Sequence, residues 1–127
     1  MIDHVGVKTS DQAASRRFYE KALAPLGYEV LMEFEEGQVV GMGIGRKPDF
    51  WFSSGEASSP IHLAFSAPDR AAVDAFHTAA LVAGGKDNGA PGLRPEYHAG
   101  YYGAFVFDPD GNNVEAVFHD PSEMKKG

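Results

Sequence analysis

The alternation of apolar and polar residues predicts a strand at the start of the chain and an amphipathic helix after it. Ile2–Lys8 alternates in character, as a strand with one buried face does. Asp11 suits the N-cap of the following helix, and Gly27 suits its end. Between them, four apolar residues at helical spacing predict one buried stripe: Ala14, Phe18, Ala22 and Leu23.

The same order of elements returns 58 residues later. Sliding the sequence by this amount aligns the segment from His4 with the segment from His62 over 24 positions without a gap, and 8 positions are identical. Two alanine-rich helices share alanines by chance, but chance explains matched histidines and glycines less well. In the second unit we expect Asp69 to cap the helix and Gly85, with positive φ, to end it.

Each helix is followed by strand-like segments. The first unit offers Tyr28–Glu33, Gln38–Ile44 and Phe50–Ser53. The second unit opens with Ile61–Ser66 and continues after its helix with Lys86–Gly89, Tyr102–Phe107 and Asn113–Phe118. The Pro- and Gly-rich segment Ala90–Gly100 is the longest irregular stretch and a candidate lid. We therefore predict one domain over residues 1–127, built from two βαβββ modules at about 1–57 and 58–120.

Composition excludes several classes of partner and of catalytic chemistry. The formal net charge of −7 argues against partners such as nucleic acid and anionic membrane surfaces, because these bind clusters of Lys and Arg. The chain has no cysteine, which excludes disulfides, thiolate catalysis and cysteine-ligated zinc. No apolar stretch is long enough to span a bilayer, and the N-terminus does not read as a secretion signal. We expect a cytoplasmic protein.

Three residues stand out as candidate ligands. His4 and His62 are equivalent under the repeat, so their side chains should face the same concave surface. Glu115 alternates with apolar neighbours in the last strand, and a carboxylate in such surroundings is costly unless it is paired or bound to metal. Taken singly, each histidine is more often structural, and Glu115 is more often a solvated strand residue.

Four short motifs carry a resemblance to a known superfamily: Ile2–Val5, Arg17–Tyr19, Ile61–Ala64 and Asp108–Glu115, which reads D-P-D-G-N-N-V-E. With the tandem βαβββ pattern, the chain resembles the vicinal-oxygen-chelate superfamily of glyoxalases, bleomycin-resistance proteins and extradiol dioxygenases, over essentially its whole length. The resemblance implies an α+β fold in which the modules form a half-open, curved β-sheet barrel with helices outside.

The resemblance also implies a metal site at four positions, in the first and last strands of the two modules. His4, His62 and Glu115 fill three of them with residues that can ligate a divalent ion such as Zn, Fe, Mn or Ni. The fourth position should lie in Phe50–Ser53, where glyoxalase I supplies a glutamate. Here the nearest residues are aromatic, with Trp51 at the centre, which argues against a glyoxalase I activity.

A second pattern resembles the signature of extradiol ring-cleaving dioxygenases. It runs from His98 through Ala104-Phe105 and Asp108–Gly111 to Glu115. In that signature a tyrosine stands where Phe105 stands here, so a phenol that would orient a bound catecholate is missing. His98 could still act as an acid or base.

These implications predict a metal-dependent enzyme that acts on a small, vicinally oxygenated metabolite. The reaction types, in order of preference, are lyase or isomerase chemistry through an enolate, dioxygenation, and thiol addition to an epoxide. Glu115, His98 and Tyr102 are the expected catalytic residues. The expected substrate-binding residues, for which a place in the cavity wall or at the surface is the alternative, are Trp51, Arg94, Tyr101 and Phe105.

A rival function is sequestration of a small molecule without catalysis, as in bleomycin-resistance proteins. The many aromatic residues and the net acidity would suit a cationic ligand, whereas the three candidate metal ligands count against it. The expected partners are a small-molecule substrate and a second copy of the chain, with no nucleic acid and no membrane. The barrel could close within one chain or across a homodimer, and ligands could then be shared between subunits.

Overall fold

The computed structural model describes residues 1–57 and 59–124, which form two βαβββ units in succession. The first unit contains β1 (Val5–Thr9), α1 (Gln12–Leu23), β2 (Glu29–Phe34), β3 (Val39–Gly43) and β4 (Phe50–Ser54). The second contains β5 (His62–Ser66), α2 (Arg70–Val82), β6 (Lys86–Leu93), β7 (Tyr101–Phe107) and β8 (Asn113–His119), followed by the short α3 (Pro121–Met124). Within the described residues, no helix has the length and apolar character needed to cross a membrane.

The eight strands form two four-stranded mixed sheets that do not close. Their strand orders are β1-β4-β3-β2 and β5-β8-β7-β6. The first strand of each unit runs parallel to the last one, and the other neighbouring strands are antiparallel. The predicted α+β fold with two βαβββ units and curved sheets is confirmed.

The helix boundaries follow the capping residues with one exception. Asp11 and Asp69 cap α1 and α2 by accepting hydrogen bonds from the backbone three residues on, as predicted. Gly27 has a φ of +91° where the first helical region ends. The prediction for Gly85 is wrong, because Gly84 takes the positive φ of +102°. A Cβ on Gly85 would lie 2.6 Å from Phe18, so close packing requires the glycine there.

The extended conformation also continues further than predicted after α2. β6 runs from Lys86 to Leu93, past the predicted end at Gly89. Register shifts at Gly89 and Gly92 interrupt its pairing with β7. The irregular segment is therefore shorter than Ala90–Gly100, because bulges accommodate glycines that the sequence pattern assigned to a loop.

One hydrophobic core joins the two units. α1 and α2 pack against each other, and one cluster contains buried aromatic residues of both units, among them Phe18, Phe50, Phe65 and Phe76. The Asp108–Gly111 turn of the second unit also contacts the first. The buried Tyr19 hydroxyl of α1 donates to Asp108, and the Ser10 hydroxyl donates to Asp110 at 2.5 Å.

Candidate functional site

Two of the three predicted metal ligands meet on the face of the second sheet that points away from α2, which we call the open face. His62 begins β5 and Glu115 lies in the adjacent β8, where Ala64 is its partner across the strand pair. His62 Nε2 and Glu115 Oε1 are 2.7 Å apart. The Glu115 side chain is fully buried, whereas the His62 side chain is 53% exposed. The pair therefore presents one imidazole to solvent and keeps its carboxylate shielded.

Tyr101 completes the hydrogen bonding of the carboxylate. Its hydroxyl donates to Glu115 Oε2, the oxygen that His62 does not contact. Burial, and then this hydrogen bond, raise the pKa of Tyr101 above its ordinary value, so the phenol stays protonated at neutral pH. Sequence reasoning named Tyr101 as a substrate-binding residue and missed this contact. The period-two alternation of β7 and β8 was the signal for it.

Tyr102 lies on the other face of β7. Its hydroxyl donates to Asp74 of α2 at 2.7 Å, and the Arg70 guanidinium lies 4.9 Å from its ring centroid. No contact joins it to His62 or Glu115 in the described residues. The predicted catalytic role of Tyr102 is thus not supported by its position, because successive strand residues point to opposite faces.

His4 is not brought to the other two candidate ligands. It precedes β1, is exposed, and its Nδ1 lies 2.7 Å from Asp3 Oδ1. It lines a cavity of about 460 Å³ with the Leu63–Ser66 part of β5, and His62 is not in that lining. At the opposite end of β1, Ser10 contacts the turn before β8. His62 lies near that turn, because it pairs with Asn113 at the start of β8. His4 and His62 therefore lie toward opposite ends of the boundary between the units.

Trp51 occupies the position at which the resemblance implies a fourth ligand. In the first sheet Gly6 pairs with Trp51, and in the second Ala64 pairs with Glu115. Gly6 and Ala64 are 58 residues apart, so Trp51 is the counterpart of Glu115 under the repeat. The indole lies over Gly41. The strand register therefore puts Trp51, within the segment Phe50–Ser53, at the position where glyoxalase I supplies a glutamate.

His98 lies beside another histidine, away from the His62–Glu115 pair. Its Nε2 is 3.0 Å from Nδ1 of His119, and its Nδ1 is 2.7 Å from the Ala99 carbonyl oxygen. The Tyr101 ring packs against both imidazoles, with centroid distances of 5.4 Å. Among the described residues, His98 is linked to the carboxylate through the ring of Tyr101, and the sequence analysis did not identify its contact with His119.

Phe105 and Arg94 lie on the same open face as Glu115. Phe105 is the cross-strand partner of Glu115, and its ring centroid is 6.3 Å from that of His62. The Arg94 guanidinium carbon is 5.5 Å from the centroid of the same Phe105 ring. Both predicted substrate-binding residues are therefore close to the His62–Glu115 pair. A cavity of about 780 Å³ lies elsewhere, between α1 and α2.

The donor set fits a divalent cation in part. An imidazole nitrogen and a shielded carboxylate oxygen at 2.7 Å are donors that Zn²⁺, Fe²⁺ and Mn²⁺ accept in proteins. Within residues 1–57 and 59–124, no group of three His, Cys, Asp or Glu side chains is arranged to hold a metal. The two residues would therefore need a third ligand that does not lie beside them in one chain.

Comparison with known proteins agrees with the fold. The model of the Glyoxalase/Bleomycin resistance protein/Dioxygenase superfamily matches residues 1–116. A glyoxalase/bleomycin resistance protein from Albidiferax ferrireducens T118 is 28% identical, with a TM-score of 0.72 over 91% of this chain and 95% of that one. No curated protein matched the chain.

Two further solved structures share the fold at lower identity. A glyoxalase/bleomycin resistance protein/dioxygenase family enzyme from Burkholderia phytofirmans PsJN is 22% identical, with a TM-score of 0.71 over 93% of this chain and 98% of that one. A lactoylglutathione lyase from Agrobacterium tumefaciens is 23% identical, with a TM-score of 0.66 and coverages of 93% and 92%. With a family model that spans nearly the whole sequence, the chain belongs to the Glyoxalase/Bleomycin resistance protein/Dioxygenase superfamily.

Proposed function

We propose that this protein is a divalent-metal-dependent enzyme that acts on a small metabolite with two adjacent oxygen atoms. The observation that carries the proposal is the 2.7 Å contact between His62 and the fully buried Glu115. A buried carboxylate is costly unless charge or hydrogen bonds compensate it, and these two donors together suit a cation. When bound, the metal would supply Lewis-acid stabilisation of a developing oxyanion.

The chain's own residues would hold and orient this site. His62 and Glu115 would ligate the metal ion, and Tyr101 keeps the Glu115 carboxylate in place by its hydroxyl hydrogen bond. Phe105 forms an apolar wall beside His62. The preferred chemistry is lyase or isomerase chemistry through an enolate, for which a lactoylglutathione lyase of the same fold is a precedent at 23% identity.

We further propose that a homodimer completes the site, with His4 coming from a second copy of the chain. Two observations support this. His4 makes no contact with His62 or Glu115 within the described part of one chain, and the first sheet exposes large apolar residues such as Met32 and Phe34. Exposed apolar residues of this kind are typical of surfaces that pair with another protein. We also propose a cytoplasmic location, with which a chain that has no cysteine and forms no disulfide is compatible.

Mixing two defective variants tests the shared site. His4→Ala and Glu115→Ala should each lose metal binding as homodimers. After unfolding and refolding together, heterodimers carry one intact site, so about a quarter of the wild-type metal capacity should return. A mixture that binds no more metal than its two components would contradict the shared site. Refolded wild type serves as the control for recovery.

Activity is tested on the metal-loaded protein with three substrates, one for each reaction type. These are the hemithioacetal of methylglyoxal and glutathione, catechol with dioxygen, and an epoxide with a thiol. Turnover of one of these substrates by the wild type, and its loss in Glu115→Gln, would support the proposed enzymatic function. The rival sequestering function predicts tight binding of a cationic ligand by the metal-free protein and no turnover of any substrate.

A further inference from the structure

The Arg94 guanidinium is held in place on the open face of the second sheet. Its Nη2 donates to the Ala90 carbonyl oxygen at 2.7 Å, and its carbon lies 5.5 Å from the centroid of the Phe105 ring. A Cβ on Gly89 would come within 3.3 Å of one guanidinium nitrogen, and a Cβ on Gly92 within 3.1 Å of the other. The two glycines at the bulges of β6 therefore leave the space that the guanidinium fills.

In the described part of the chain, this held cation has no carboxylate partner. Among residues 1–57 and 59–124, no Asp or Glu oxygen lies within ion-pair distance of Arg94, whereas Arg16 pairs with Glu20 and Glu33. The chain has a formal net charge of −7, so acidic side chains are plentiful. A guanidinium that is fixed by a carbonyl and an aromatic ring, and not by an acid, keeps its remaining N–H donors for a ligand.

The guanidinium lines a cavity that offers a second donor. The cavity has a volume of about 330 Å³, and Asn88, Phe105 and Asn113 contribute to its walls. Asn88 Nδ2 donates to Asn113 Oδ1 at 3.1 Å. With its oxygen engaged, Asn113 keeps its Nδ2 hydrogens for a ligand, next to the arginine. Two neighbouring donor groups of this kind suit the oxygens of a carboxylate or a phosphate.

The cavity lies beside the proposed metal site. Arg94 and His62 both lie near the Phe105 ring, so the guanidinium carbon is within about 12 Å of the centroid of the His62 ring. We propose that Arg94 binds an anionic oxygen group, a carboxylate or a phosphate, at one end of a substrate whose adjacent oxygens are held at His62 and Glu115. The substrate class is then a small, oxygenated organic acid or phosphate ester. The placement of the second end rests on the proposed function, but anion binding by Arg94 does not.

An NMR titration of the metal-free protein tests the anion site. The probes are glutarate, inorganic phosphate and the neutral glutaramide. An anion should shift the Gly89 and Gly92 amide signals and the Arg94 Nε–H signal, and glutaramide should not. Arg94→Gln should weaken anion binding at least tenfold, and Arg94→Lys should weaken it less. The anion with the lower Kd identifies carboxylate or phosphate as the group recognised.

Arg46→Gln is the matched control, because Arg46 is exposed and has no ion pair among the described residues. It should leave the titration unchanged. Shifts that persist in Arg94→Gln, shifts that map elsewhere, or no response to either anion would overturn the proposal. Glu115→Ala should keep anion binding while it loses metal binding, so the anion site and the proposed function fail separately.

Discussion

Trp51 and Glu115 occupy equivalent positions in the two sheets, paired with Gly6 and Ala64, which are 58 residues apart. The second sheet uses this position for a buried carboxylate. The first sheet uses it for an indole that lies over Gly41 and stacks against Phe34 at a centroid distance of 6.1 Å. The two sheets thus share this backbone position but differ in its side chain, and of the two only the second sheet has a carboxylate there.

The fit of Trp51 over Gly41 gives a direct prediction. A Cβ on Gly41 would lie 2.8 Å from the indole, so Gly41→Ala should displace the ring and lower the free energy of unfolding by about 1–3 kcal/mol. Trp51 is the single tryptophan of the chain, so its fluorescence emission should shift as well. Urea unfolding followed by fluorescence measures both effects.

Gly6→Ala is the matched control for this substitution. Its Cβ would meet the nearest atom of Trp51 at 3.9 Å, an ordinary contact distance. Its unfolding free energy should stay within about 0.5 kcal/mol of wild type. Equal effects of the two alanines would show that the indole does not lie against Gly41.

The hydrogen bond between Tyr101 and Glu115 should stabilise the fold before any metal binds. Tyr101→Phe removes one donor from a fully buried carboxylate and should lower the free energy of unfolding by about 1–3 kcal/mol. Tyr102→Phe, whose hydroxyl contacts the exposed Asp74, should cost less than half as much. Thermal and urea unfolding of the metal-free variants compare the two, and a larger loss in Tyr102→Phe would contradict the assigned faces of β7.

The buried contact between Tyr19 and Asp108 should couple the two units. Asp108 also accepts hydrogen bonds from the Asp110 and Asn112 backbone and from the Asn112 side chain, so it is the centre of the turn before β8. Tyr19→Phe should lower the free energy of unfolding by about 1–3 kcal/mol and keep a single unfolding transition. A double-mutant cycle with Asp108→Asn should show a coupling of at least about 0.5 kcal/mol. Additive effects would show that the contact carries no energy.

Asp120 should make stability depend on acid pH. Hydrogen bonds from Ser122, then one from Arg70, hold its pKa below the ordinary value of 3.8. A carboxyl with a lower pKa in the folded state stabilises the fold above its unfolded pKa, and this contribution is lost as the pH falls through the folded pKa. Asp120→Asn should therefore destabilise the protein at pH 7, and the difference from wild type should shrink below about pH 3.8.

Glu56→Gln is the control for the pH series. Glu56 is exposed and has no ion pair among the described residues, so its substitution should leave the unfolding free energy unchanged at both pH values. A destabilisation by Asp120→Asn that is equal at pH 7 and below pH 3 would contradict the role of the ionised carboxylate.

The repeat and the capping residues sufficed to predict the tandem βαβββ order, because Asp11, Asp69 and the apolar stripes act locally. The pattern could not show which of two adjacent glycines, Gly84 or Gly85, takes the positive φ. That choice depends on the packing of Gly85 against Phe18 from the other unit. Likewise β6 extends through Gly89 and Gly92 because pairing with β7 outweighs their weak strand propensity.

For the site, the alternation of Glu115 with its apolar neighbours puts its side chain on the opposite face of β8 from theirs, and His62 meets it there. The same alternation, applied to β7, would have placed Tyr101 and not Tyr102 on the face of the sheet that carries Glu115. The position of His4 could not be predicted from the repeat. Equivalence within two modules fixes the face of a side chain but not how the modules are arranged, and that arrangement decides whether two equivalent residues meet.

Metal binding to wild type and variants, measured by isothermal titration calorimetry with Zn²⁺ and Mn²⁺, tests the central claim most directly. Wild type should bind one ion per chain, and His62→Ala and Glu115→Ala should each weaken binding at least 100-fold. His77→Ala, which removes a histidine on α2 that contacts Asp87, should leave it unchanged. Wild-type affinity in Glu115→Ala, or equal losses in all three variants, would contradict a metal site at His62 and Glu115.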